Sequence, residues 1–343
     1  MSAPSRAFVT GPLSLEGERW ALESSSTLEQ VAVPGETVLL CKERWRLDGR
    51  LSLVRKHLPG VGGPPVVLVH GFAQNRYTWH HSIRSMSAWL AGQGFDVFNL
   101  ELRGHGNSRP GHGPESFADY VSDAEAVADA LPQRAFWVGH SLGGAVGYAV
   151  ATRAPVRGVV GIGALYKFGQ ANRFLHWLCK LSTVTRGKRL LGNVSVRTRL
   201  AGQVLGRLYN ITDVAGYAFP VSGWAPGSVE PELLAERLER GFDWTSGNVW
   251  LDMARWSASD RFDFGDDWRR TDVPLLVISG DLDHLMPPAD ARAAFDESGS
   301  RDKTLLELEP WTTGRHWGHL DLVSGRFAPE HLWTPLRAWL AER

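Results

Sequence analysis

The pentad Gly139-His140-Ser141-Leu142-Gly143 follows the apolar run Ala135-Phe136-Trp137-Val138 and precedes the small-residue stretch Gly144 to Thr152. Strand, glycine-flanked serine and helix, in that order, form a nucleophile elbow, in which a strained turn lifts the serine hydroxyl out of the strand's carboxyl end. The glycines answer a steric need, because strand and helix pass closely at the positions two before and two after the serine. Gly139 and Gly143 meet it, and Gly144 adds clearance. The helix that follows would aim its amino-terminal dipole at any oxyanion formed there. A chain of this length carries such a pentad by chance about one time in ten, and more often when rich in glycine, so the surroundings must decide.

Those surroundings are strands that end in polar turns. Pro65-Val66-Val67-Leu68-Val69 reads as a buried parallel strand running into His70-Gly71-Phe72-Ala73, ahead of a helix expected over Thr78 to Leu90. Asp96 to Leu100 is a second such strand, followed by Arg103-Gly104-His105-Gly106-Asn107-Ser108 and a helix expected over Ser116 to Leu131. In the last third, the branched apolar run Val273 to Ser279 ends in Gly280-Asp281-Leu282-Asp283-His284-Leu285-Met286-Pro287. A further strand, Thr304 to Leu308, precedes a loop holding His316 and His319. A serine nucleophile needs a base and a group that orients that base. Both residue types are present, with Asp281 and Asp283 in the turn after Ser279 and His316 and His319 in the last loop.

In combination these segments resemble the α/β-hydrolase fold superfamily of serine hydrolases, and loosely its acid-lipase and monoacylglycerol-lipase-like branches. The similarity spans roughly residues 37 to 340 and rests on the serine elbow, His70-Gly71-Phe72, the Arg103 to Ser108 turn, the Asp283 turn, Gly318-His319-Leu320-Asp321-Leu322 and the closing helix Pro329 to Leu340. It implies that Ser141 is the nucleophile, Asp283 the triad carboxylate with Asp281 as alternative, and His319 the base with His316 as alternative. It also implies that the backbone N–H groups of Phe72 and Leu142 form the oxyanion hole, and that His105 is a turn residue. The implied architecture is a mostly parallel eight-stranded sheet flanked by helices, with a largely helical cap inserted after strand 6. The expected division is an extension over 1–36, core over 37–167, cap over 168–270 and core again over 271–343.

Whole-chain quantities fit this picture. The formal net charge of +0 over 343 residues gives no electrostatic reason to expect nucleic acid. Cys41 and Cys179 form no disulfide framework or C-x-x-C pair, no secretory signal is visible, and no run of about eighteen apolar residues occurs. The expectation is a cytoplasmic enzyme without a transmembrane segment, needing no cofactor and no metal. His316 with His319 as a zinc pair lacks a matching ligand cluster.

The cap holds Trp177, Trp224, Trp244, Trp250, Trp256 and Trp268 with Phe174, Phe219 and Phe242, which would either line an apolar acyl pocket or pack the cap onto the core. No Asp or Glu occurs from Ala130 to Thr212, while Lys180, Arg186, Lys188, Arg189, Arg197, Arg199 and Arg207 crowd that stretch. This basic segment would either make peripheral contact with an anionic lipid surface or pair with Glu230, Glu232, Glu236, Glu239, Asp243 and Asp252. The expected activity is hydrolysis of a small-molecule carboxylic ester through an acyl-enzyme, with an acyltransferase or thioesterase using the same triad as alternatives and a non-catalytic small-molecule receptor as the non-enzyme class. A dehalogenase or epoxide hydrolase would need a carboxylate where Ser141 stands.

Overall fold

The computed structural model describes residues 11, 13–15, 17–109, 113–184, 195–197 and 223–343. Five short apolar runs form its centre: β4 (Pro65–Val69), β5 (Asp96–Glu101), β6 (Phe136–His140), β7 (Gly158–Ile162) and β10 (Leu275–Gly280), every residue buried. Strands covered on both faces lose the apolar–polar alternation of half-exposed strands and read as continuous branched runs. They pair in parallel, and β11 (Lys303–Leu308) extends them on one side. On the other side β3 (Leu51–His57), β2 (Glu36–Leu47) and β1 (Trp20–Val33) are antiparallel, giving the order β1-β2-β3-β5-β4-β6-β7-β10-β11.

Among the described residues the sheet therefore has nine strands rather than eight, and the ninth lies in the stretch assigned to an extension. β1 escapes an apolar-periodicity reading because only Trp20 and Ala32 are buried and an unbroken exposed run, Ala21 to Thr27, lies between them. Its backbone is fixed by a long hairpin register with β2. Counting without β1, the chain leaves the sheet for its insertion after the sixth strand, β7.

Successive side chains divide between two cores. Val67, Val69 and Trp137 face α2 (Phe117–Ala130) and α3 (Leu142–Ala151); Val66, Leu68 and Val138 face α1 (Met86–Gly92) and the C-terminal helix Thr334–Glu342. Ser116 caps α2 in a reciprocal box with Asp119, as its position before the apolar run predicts. The helix expected over 78–90 is instead a short turn, Arg76–Thr78, followed by α1. Ser85 starts α1 late by accepting from the Ala88 N–H.

Between β7 and β10 the described chain holds α4 (Arg173–Thr183), a helix over Pro231–Glu236 that continues as a π-turn to Gly241, α5 (Gly247–Ser259), and the two-stranded ribbon β8 (Ser195–Arg197) and β9 (Trp244–Ser246). Trp256 and Trp268 pack into the core against Phe117 and Tyr148, whereas Trp177 is exposed. Phe219 and most of the basic segment lie outside the described residues.

Candidate active site

Ser141 sits between β6 and α3 with φ +57° and ψ −123°, a backbone state that an L-residue keeps only when its surroundings impose it, at about 1–3 kcal/mol. Two hydrogen bonds impose it here: the Ser141 N–H donates to the Ile162 carbonyl (3.0 Å), and the Leu165 N–H donates to the Ser141 carbonyl (3.1 Å). The flanking glycines permit the turn. A Cβ on Gly139 would lie 2.2 Å from the Gly143 carbonyl carbon, and one on Gly143 would lie 2.2 Å from the Val69 carbonyl oxygen.

The loop that grips Ser141 also receives Asp283 and His319. Gly163, between the two residues that bond Ser141, has φ +48°; a Cβ there would meet Asp283 Oδ2 at 2.9 Å and His319 Nδ1 at 3.1 Å. Those two atoms are themselves hydrogen-bonded at 2.7 Å, both side chains being buried. Asp283 Oδ1 accepts from the Met286 N–H (2.7 Å), which orients the carboxylate. With Nδ1–H donating to Asp283, the Nε2 lone pair of His319 is free to take a proton.

The two alternatives in the sequence pair with each other. His316 Nδ1 bonds Asp281 Oδ2 at 2.5 Å, and Asp281 Oδ1 accepts from the Trp317 N–H. The His316 side chain is 54% exposed against 3% for His319. The histidines thus face different carboxylates.

The loop after β4 closes the site. A Cβ on Gly71 would lie 3.0 Å from Ser141 Cβ, so the chain carrying the Phe72 N–H runs beside the serine. The Leu142 N–H opens α3, where the first turn's N–H groups have no partner within the helix. His70 Nε2 accepts from the Leu102 N–H and its Nδ1–H bonds the Gly71 carbonyl. His105 donates from Nδ1 to the Gln74 carbonyl (2.7 Å), and its Nε2 faces the Tyr120 hydroxyl. Burial pushes His105 down to about 3, which keeps it a neutral turn residue.

Three contributors lay beyond sequence reasoning. His140 Nε2 donates to the His319 carbonyl (3.0 Å), with the two rings 4.4 Å apart; burial, then the neighbouring His319 and Arg237, hold it well below the ordinary histidine range. Asp321 is buried beneath the His319 loop and accepts from the Gly318 N–H, the Ala225 N–H and the Ser228 hydroxyl; burial pushes its carboxyl up to about 6. Asp243 joins the insertion to the Phe72 loop. The only signals were that His140 fills a variable elbow position and that Asp321 follows Gly-His by two residues.

A family model described as alpha/beta hydrolase fold matches residues 64–321, about three quarters of the sequence. The chain belongs to this family. Within it, epoxide hydrolase B of Mycobacterium tuberculosis (strain ATCC 25618 / H37Rv) is 36% identical over 118 residues, covering 33% of this chain and 32% of that protein. Pimeloyl-(acyl-carrier protein) methyl ester esterase of Vibrio campbellii (strain ATCC BAA-1116) is 34% identical over 95 residues, 28% of this chain and 34% of that one. The match thus spans about a third of the length of these relatives. Among solved structures, monoacylglycerol lipase of Paleococcus ferrophilus superposes with a TM-score of 0.59 at 22% identity, covering 85% of this chain and 99% of that one. That likeness is one of fold.

Proposed function

We propose that this family member is a serine hydrolase of carboxylic esters, with Ser141 as nucleophile, His319 as base and Asp283 as orienting acid. The observation that carries the reading is the buried Asp283–His319 pair set against the same Ile162–Leu165 loop that holds Ser141 in its strained turn. His319 Nε2 takes the hydroxyl proton as Ser141 Oγ bonds the acyl carbon, and the Phe72 and Leu142 N–H groups meet the oxyanion. Collapse breaks the bond to the leaving alcohol, which departs with the proton from His319. Water then repeats the sequence on the acyl-enzyme and releases the acid.

A hydroxyl at the elbow favours acyl transfer to water over the epoxide opening named for one relative. A fluorophosphonate probe tests the class: stoichiometric labelling at Ser141, abolished in Ser141→Ala together with ester turnover, is the expected result. Full turnover by Ser141→Ala would refute it. Matched oxygen and sulfur esters, with and without an acceptor alcohol, separate esterase, thioesterase and acyltransferase.

The insertion, taken as a cap over 168–270, forms the acyl pocket and brings the enzyme to anionic lipid surfaces. Two features support this. The exposed side of α4 carries Phe174, Trp177 and Leu181 beside Lys180. Four of the acids available to neutralise the basic segment are already paired with cations outside it: Glu230 with Arg84, Glu236 with Arg240, Asp243 with Arg109 and Asp252 with Arg255. Co-sedimentation with phosphatidylglycerol vesicles should fall steeply with added salt; binding indifferent to salt, or equal on phosphatidylcholine, would contradict electrostatic docking. Among the described residues no helix is long and apolar enough to cross a membrane.

A further inference from the structure

The loop that carries the Phe72 N–H is not held by the core alone. Ala73, the next residue, has φ +57° without being glycine, a state that persists only where neighbours over-determine it. Part of that constraint comes from the insertion. The Asp243 N–H donates to the Ala73 carbonyl (2.9 Å), and Phe242 forms an antiparallel bridge with Gln74. The buried Asp243 carboxylate then gathers four donors among the described residues. Oδ2 accepts from Asn75 Nδ2 (3.2 Å) and the Gly106 N–H (2.8 Å); Oδ1 accepts from the Trp244 N–H (2.8 Å) and the Arg109 guanidinium. Asn75 Oδ1 in turn accepts from the Tyr77 N–H, so Asp243 holds both ends of the Ala73–Tyr77 segment, Ala73 through its backbone N–H and Tyr77 through its carboxylate and Asn75. Burial pushes the carboxyl up, but the Trp244 and Gly106 N–H groups, Asn75 and Arg109 together outweigh it and hold it below its ordinary range.

We propose that Asp243 is a positioning residue for the oxyanion hole: from the insertion, it fixes the strained segment after Phe72 and thereby the direction of the Phe72 N–H. The inference rests on the triad reading above. It makes the insertion part of the machinery that stabilises the tetrahedral intermediate, in addition to its place over the pocket.

Asp243→Asn is the direct test because either orientation of the amide turns its NH2 toward two existing donors. Losing one oxyanion donor costs about 10²–10³-fold in rate, so misdirecting it should lower kcat on a short soluble ester by about 10–100-fold while KM stays within about twofold. Affinity for a trifluoromethyl ketone, whose adduct carries the same oxyanion, should fall by the same factor. Asp252→Asn supplies the comparison, since the Asp252 carboxylate bonds the insertion to the Phe117 N–H rather than to the Ala73–Tyr77 segment. A loss in Asp252→Asn as large as in Asp243→Asn would reduce the effect to loosened docking and overturn the proposal, as would unchanged kcat and ketone affinity in Asp243→Asn.

Asn75→Asp covers the case in which Asp243→Asn does not fold. It keeps the acceptor for Tyr77 but opposes Asp243 with a second carboxylate, so its deficit relative to the parent should shrink as pH falls and one of the pair is protonated. A pH-independent ratio would count against the proposal. Failure of Ser141 to label would instead strike the triad reading itself, whatever these variants do.

Discussion

At the scale of the residue, the site is a choice between two chemically identical pairs. Asp281–His316 and Asp283–His319 are both hydrogen-bonded, and spacing along the chain does not separate them. Burial does, and so does the Gly163 backbone, which brings only the second pair to the loop that bonds Ser141. Asp283→Asn should therefore lower kcat by about 10³–10⁴-fold, because the amide would stabilise the wrong imidazole tautomer. Asp281→Asn, beside an exposed imidazole, should stay within about twofold of the parent, in line with surface substitutions worth under 0.5 kcal/mol. Kinetics of the two variants on one chromogenic ester check both; equal losses would undo the assignment of acid and base.

At the scale of the element, the elbow is a contact between two backbones. Gly143→Ala places a methyl 2.2 Å from the Val69 carbonyl oxygen, where nothing flexible can yield. Overpacking of this kind costs about 1–3 kcal/mol, and here it also displaces the first turn of α3. Thermal denaturation should show the lowered Tm, and fluorophosphonate labelling should slow with it. Such elements were legible because their signals are local: apolar runs for β4, β6, β7 and β10, glycines at fixed offsets, and Ser116 before α2. β1 was not, since its outward side chains carry no apolar period. Asp243, Asp321 and the His140–His319 contact were not either. Their partners across the fold lie 93 to 179 positions away, and no short-range pattern encodes a hydrogen bond at that separation.

At the scale of the whole molecule, buried carboxyls tie stability to pH. Burial raises Asp290 and Asp321 from 3.8 to about 6, and both span the insertion and the core: Asp290 accepts from the Gln170 and Ala171 N–H groups, Asp321 from Ala225 and Ser228. Between about pH 4 and 6 these two carboxyls keep protons in the folded chain that they release in the unfolded one, so their contribution to stability declines as pH rises through that window, opposite in sign to that of the buried neutral histidines His105 and His140. Asp290→Asn and Asp321→Asn should each shift the slope of Tm against pH there toward more positive values; an unchanged slope in both would contradict the raised values. Elsewhere, the buried Arg55–Asp96 pair fastens β3 to β5, and Asp96→Ala should cost about 3–5 kcal/mol in denaturant melts by stranding the guanidinium.

The carboxylate bolts at both margins of the insertion also bear on how such enzymes diversify. A recombinant that receives a relative's roof must inherit matching partners for Asn75 and Asp321 as well. Without them the graft should fail on every substrate alike, so an exchanged roof would have to bring its seam with it.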